Sequence, residues 1–178
     1  MHNDVLTFWF NELTPAQWWQ KDDKLDNAIR EKFQKIHHQA SQCELYQWRK
    51  SAKGRLAEII ILDQFSRNIF RDSAKAFTQD PLALSLAQQA IAVGADKELD
   101  AVERGFLYMP FMHSESLLIH QQACLLFKAN GNESNYQFEL KHFEIIKNFG
   151  RYPHRNNILN RKSSREEVEF LTQPNSSF

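Results

Sequence analysis

Apolar side chains recur at three- and four-residue steps along almost the whole chain, and scarce glycines and prolines mark the interruptions. Leu25, Ile29, Phe33, Ile36 and Ala40 trace one such face, followed by a Leu45, Tyr46 and Trp48 cluster, which predicts a long amphipathic helix over 22–48. Before it, Asn3 or Asp4 can cap a short helix carrying Leu6, Phe8, Trp9 and Phe10. Lys53-Gly54 reads as a break, with the next helix over 56–70. Asp80 is placed to cap a helix opened by Pro81 and closed by Gly94. Further helices are expected over 100–108, stopped by Pro110, and from an N-cap at Ser114 to the Asn130-Gly131-Asn132 turn. Two more fall over 134–149 and 166–171, with a short one opened by Pro153 between them.

No stretch alternates with the period of two that a half-buried strand requires; Ile59, Ile60 and Ile61 are β-branched but lie inside a helical pattern. The expected fold is all-α: a single domain over 1–172, an array of antiparallel helices joined by short turns, and a polar tail over 173–178. A chain of 178 residues is long enough to bury one real core.

Composition narrows the function classes. With 22 basic against 22 acidic residues, net charge lends no support to nucleic-acid or membrane-surface binding. No apolar run reaches membrane-spanning length, and the apolar patch within 1–10 is too short for a signal peptide, so a cytoplasmic protein is expected. Cys43 and Cys124 sit in helical patterns and read as buried thiols in a reducing compartment. No metal motif, phosphate-cradling glycine loop or nucleophile elbow occurs, so neither metal nor cofactor is expected.

Three polar stretches stand out against this background. On the helix over 56–70, apolar residues occupy most of the circumference, yet Asp63, Gln64, Arg67, Asn68 and Arg71 form one polar band. A buried helix must pair such groups or lose a few kcal/mol for each, so the band is either a structural ion-pair network or the wall of a polar cavity. In the second stretch, Ser114 as a cap and Glu115 as a dipole-compensating acid are explained by the helix start, while His113 is left over as a candidate acid or base. The third stretch runs basic from Lys147 through Arg151, Arg155, Arg161 and Lys162 to Arg165 without an intervening acid, and sets Gly150 against Pro153 at a helix joint. Basic groups beside a helix start oppose its dipole and call for a carboxylate or an anionic ligand. His142 shares a face with Phe138, Ile145 and Phe149 and reads as a core histidine.

Taken together, Leu62-Asp63-Gln64-Phe65-Ser66-Arg67-Asn68-Ile69-Phe70-Arg71, Tyr108-Met109-Pro110-Phe111-Met112-His113-Ser114-Glu115 and Phe149-Gly150-Arg151-Tyr152-Pro153-His154-Arg155-Asn156, with the opening Val5-Leu6-Thr7-Phe8-Trp9-Phe10, resemble the bacterial domain-of-unknown-function family 924. The resemblance spans essentially the whole chain and implies an all-helical superhelix like those of tetratricopeptide repeats. It implies no reaction. Ser66 stands where the family pattern has proline, which bears on the helix geometry around Arg67.

The expectation is that the three polar stretches converge on one cleft whose positive groups outnumber their partners. Arg67, Arg71, Arg151 and Arg155, with Asn68 and Asn156, would hold a small carboxylate or phosphate; Asp63 and Glu115 would position the arginines; and His113 or His154, with Glu115, would serve any metal-independent acid–base step. Two alternatives stand beside it. One is a scaffold that holds an acidic or C-terminal peptide of a partner protein in a concave face, and the other is a purely structural role for the charges. Oligomeric state is not legible.

Overall fold

A computed structural model describes residues 1–174 and 176. Helix α1 (His2–Thr7) continues through a π-helical turn, Phe8–Glu12; α2 spans Asp23–Ser41. Helix α3 (Ala52–Ile60) runs through a second π-helical segment, Ile61–Phe65, into α4 (Ser66–Ile69). Then come α5 (Asp80–Ala92), α6 (Ala101–Met112), α7 (Leu117–Asn130), α8 (Glu133–Phe149) and α9 (Arg165–Leu171). The described residues include no strand, so the all-α expectation holds.

The α3–α4 rod is the axis of the molecule. It packs on α1, α2, α5 and α6, and α6, α7 and α8 stack in succession beside it. Leu56, Ala57, Ile60, Ile61, Leu62 and Phe65 are fully inaccessible to solvent, as a helix apolar on most sides must be. Phe8, Trp9 and Phe33 close around Phe65, with Trp9–Phe65 centroids 5.6 Å apart. A smaller cluster of Ile145, Ile146 and Tyr152, covered by Phe149 and Phe170, holds the C-terminal segment against α8.

Several local expectations are corrected. Helix α2 stops at Ser41, and Tyr46–Lys50 forms a separate 3-10 turn. Gly54 lies inside the first turn of α3, which Ser51 caps by accepting from the Gly54 amide. A Cβ at Gly54 would fall 2.1 Å from the Trp48 carbonyl oxygen, so glycine is required by close approach rather than by a chain break. Pro110 sits within the last turn of α6, near enough the end that the helix continues to Met112. Helix α7 is capped by Ser116, two residues later than expected, which makes His113 the C-cap of α6 and leaves Glu115 in the connection. Cys43 is exposed, in a left-handed conformation (φ 59°) just past α2, and Cys124 is half-buried. Of the tail expected over 173–178, Asn175, Ser177 and Phe178 lie outside the described residues.

Candidate functional site

A π-helical segment, Ile61–Phe65, runs through the start of the polar band. A turn with i→i+5 hydrogen bonds carries one more residue than an α turn and so shifts the phase of the helix beyond it. The polar band is divided beyond it: Asp63 and Arg67 turn toward α5 and α6, while Asn68, one step round α4, and Arg71, past its end, turn toward α2. There Asn68 Nδ2 donates to Asp26 Oδ1 (2.8 Å), and Arg71 donates to both Asp26 oxygens. At the junction Ser66 Oγ donates to Leu62 O (2.5 Å), supplying a hydrogen bond that proline would lack.

Asp63 is the buried anchor. Its Oδ1 lies 2.7 Å from His113 Nδ1 and 3.3 Å from Arg67 Nη1, and its Oδ2 accepts from Gln64 Nε2 at 2.5 Å. Arg67 also donates to the Asp63 carbonyl (2.7 Å) and clasps Asp80 with two parallel bonds of 3.0 and 3.1 Å. Arg155 arrives from the turn Pro153–Arg155. Its Nη1 donates to the His113 carbonyl (3.1 Å) and stands 3.5 Å from Asp80 Oδ2. The guanidinium lies over both Phe77 (4.6 Å) and Tyr152 (4.5 Å), a cation held against two ring faces. Tyr152 is in turn fixed by donating to Met112 O (2.5 Å).

Of these groups, Phe77, Asp80, His113 and Arg155 border a cleft of about 610 Å³. Thr78, Asp80, His113, Ser114, Glu115 and Arg155 are its polar lining, and Phe77, Pro81, Leu84, Pro110 and Leu159 its apolar lining.

The electrostatics assign protons. Burial alone would raise the Asp63 carboxyl, but the His113 ring and the Arg67 charge beside it pull it down to about 2, so it is ionised at neutral pH. Burial and the Arg67 charge lower His113, outweighing the pull of Asp63, so its imidazole is neutral. An ionised carboxylate only accepts, so Nδ1 carries the proton and donates to Asp63, leaving Nε2 as the basic nitrogen of a residue that lines the cleft. Glu115 is also ionised: burial opposes this, but Arg161 and the Tyr152 amide hold its carboxyl below the ordinary range. His154 is half-buried and lies 5.5 Å, centroid to centroid, from Tyr152; burial and the Arg155 charge lower it to about 4.

Convergence of the three sequence stretches is therefore partial. Asp63, Arg67, His113, Glu115 and Arg155 come together. Asn68 and Arg71 lie with Asp26, and Arg151 forms two bonds of 2.6 and 2.7 Å with Glu167. Asn156 Nδ2 bonds Ser163 and Glu167, and its Oδ1 accepts from Arg161. Nor do the arginines outnumber their partners. Arg71, Arg151 and Arg161 hold Asp26, Glu167 and Glu115, and Arg67 holds both Asp63 and Asp80. Arg155 shares Asp80 with Arg67. It is 6% exposed, and its Nε has no hydrogen-bond partner.

Sequence reasoning missed Asp80, Phe77 and Arg161 as members of this group. Asp80 reads locally as a helix start, Phe77 as a loop aromatic, and Arg161 as one of a basic run; only the fold brings them to Arg67, Arg155 and Glu115. No group of three or more His, Cys, Asp or Glu side chains able to hold a metal occurs among the described residues.

A family model, DUF924, described as a bacterial protein of unknown function, matches residues 5–175. The chain belongs to this family. Among solved structures, this DUF924 chain is similar to the "Protein of Unknown Function ATU0120 from Agrobacterium tumefaciens", at 37% sequence identity with a TM-score of 0.91 over 96% of each chain. No curated protein matches it.

Proposed function

We propose that the cleft binds a small anionic molecule, with Arg155 receiving its negative group and the Asp63–His113 pair exchanging a proton with it. Arg155 carries this reading: it is a buried guanidinium whose Nε has no hydrogen-bond partner and whose carboxylate, Asp80, is 3.5 Å away with both oxygens already accepting from Arg67, a costly arrangement that a bound anion would offset. The aromatic faces of Phe77 and Tyr152 orient its donors as a rigid fork suited to a carboxylate or phosphate oxygen pair. His113 adds the chemistry. Its neutral ring, fixed in one tautomer by a buried carboxylate, is a general base at neutral pH and needs no metal to act. Neither His154 nor Glu115 supplies an equivalent: His154 is not part of the cleft lining, and both Glu115 oxygens accept from Arg161.

The charged lining favours a small molecule over an extended peptide, since the exposed aromatics Trp19, Tyr46 and Phe138 lie outside the cleft. Titration calorimetry with acetate and inorganic phosphate, on the parent and on Arg155→Gln, tests the reading. A saturable heat that weakens about tenfold or more in the variant, equivalent to about 1.4 kcal/mol, is expected. Equal binding by the two proteins would end it.

A further inference from the structure

We infer that the anion taken by this cleft is a monocarboxylate with an apolar chain, rather than a phosphate or a polycarboxylate. The inference rests on the anion-binding reading above and narrows it to a ligand class. Three observations support it.

The first is how charge is arranged around Arg155. Asp80 and Glu115 both line the cleft, whereas their cationic partners Arg67 and Arg161 do not. The surface facing a ligand thus offers one guanidinium flanked by two carboxylates. A single negative charge can settle on Arg155. A second on the same ligand would meet Asp80, whose oxygen is already 3.5 Å from Arg155, or Glu115, which Arg161 and the Tyr152 amide keep ionised. Dianionic phosphate and citrate are disfavoured on those grounds.

The second observation is the apolar part of the lining. Phe77, Pro81, Leu84, Pro110 and Leu159 are apolar, and Leu84 and Leu159 are only half-buried, so the protein leaves apolar surface there that an aliphatic chain can cover. Inorganic phosphate has nothing to place against it.

The third is His113 Nε2. As an acceptor in the polar lining it matches a ligand hydroxyl or amide N–H near the carboxylate, the arrangement of a 2-hydroxy or N-acyl acid.

The test uses the full chain at fixed ionic strength and pH 7.5, with titration calorimetry of hexanoate, 2-hydroxyhexanoate, hexanol, citrate and inorganic phosphate. Hexanoate is expected to bind saturably, 2-hydroxyhexanoate more tightly, and hexanol, citrate and phosphate at least about tenfold more weakly than hexanoate. Arg155→Gln should weaken hexanoate about tenfold or more, an ion-pair loss larger than any effect on hexanol. If Arg155→Gln does not fold, as judged by circular dichroism and melting, Leu84→Glu takes its place: a carboxylate in the apolar lining should abolish hexanoate binding while the fold persists.

Phosphate or citrate binding more tightly than hexanoate, with loss in Arg155→Gln, would overturn the ligand class and leave the anion site standing. Hexanol binding as tightly as hexanoate would overturn the role of the carboxylate. Failure of every anion to bind, or unchanged binding in Arg155→Gln, would remove both the class and the site beneath it. Unaltered hexanoate affinity in Leu84→Glu would show that the apolar lining holds no ligand chain, and the class would go with it.

Discussion

Replacing Asp63 with asparagine isolates the residue on which the arrangement turns. Asp63 is wholly inaccessible to solvent and takes part in polar contacts with His113, Arg67 and Gln64. Two independent routes give the size of the effect. Lowering its carboxyl from an ordinary 3.8 to about 2 corresponds to about 2 kcal/mol of stability at neutral pH. Exchanging a charge-assisted hydrogen bond for a neutral one while Arg67 stays partly buried costs about 2–3 kcal/mol. The routes agree, and the first also fixes the pH dependence. The folded-state value is depressed, so the stabilisation is fully present above about pH 4 and is lost as pH falls toward 2. Urea unfolding of the parent and Asp63→Asn should therefore differ by about 2 kcal/mol at pH 7 and by less than half of that near pH 2.5. Nitrogen-15 spectra of the imidazole should show His113 losing its single tautomer and its pKa falling further, because the charge and hydrogen bond of Asp63 that raised it are gone and only the weaker pull of Asp80 remains. A variant equal in stability to the parent at pH 7, or a constant difference from pH 7 to pH 2.5, would refute the reasoning.

Two further outcomes come from the packing. Gly54→Ala forces a methyl group against the Trp48 carbonyl, a backbone atom that cannot rotate away, and should destabilise by about 1–3 kcal/mol in the same urea assay, whereas a mere chain-break role predicts stabilisation from alanine's helix propensity. Burial lowers His37 to about 4, His154 to about 4 and His142 to about 3. His113 is lowered too, and the unfolded chain takes up these four protons near pH 6.5, so stability should be unaffected above that pH and fall as pH drops toward 4, with a slope of at most about 5 kcal/mol per pH unit if all four protons are taken up together. A urea midpoint that stays flat from pH 7 to pH 4.5 would contradict this.

Most of the helical architecture was legible because it is local. Apolar spacing and end signals depend on residues within a few positions of one another, and they placed α5, α8 and α9 and the start of α2 closely: Asp22 does accept from the Lys24 and Leu25 amides, and Gly94 and Gly150 do adopt left-handed conformations at helix ends. The errors also had local causes. Gly54 and Pro110 were read as breakers because propensity treats both residues as interruptions, yet one sits in a capped first turn and the other in a last turn, where a missing hydrogen bond costs least.

Pairing was not legible. A helical wheel groups Asp63, Arg67, Asn68 and Arg71 in one band, but it says nothing of which neighbouring helix each meets: α2 supplies Asp26 to Asn68 and Arg71, while α5 and the end of α6 bring Asp80 and His113 to Arg67 and Asp63. Likewise, the basic run over 147–165 looked like a surplus because carboxylates that neutralise it, Glu115 and Glu167, are supplied by other turns of the chain. Helical content, the buried α3–α4 rod and the candidate residue types were written in the sequence alone, since each depends on neighbours along the backbone. Which arginine is left with the weakest pairing, Arg155, was settled only when distant segments met. Charge pairing depends on distances of a few ångströms in space, and positions far apart along the chain reach those distances only once it has folded.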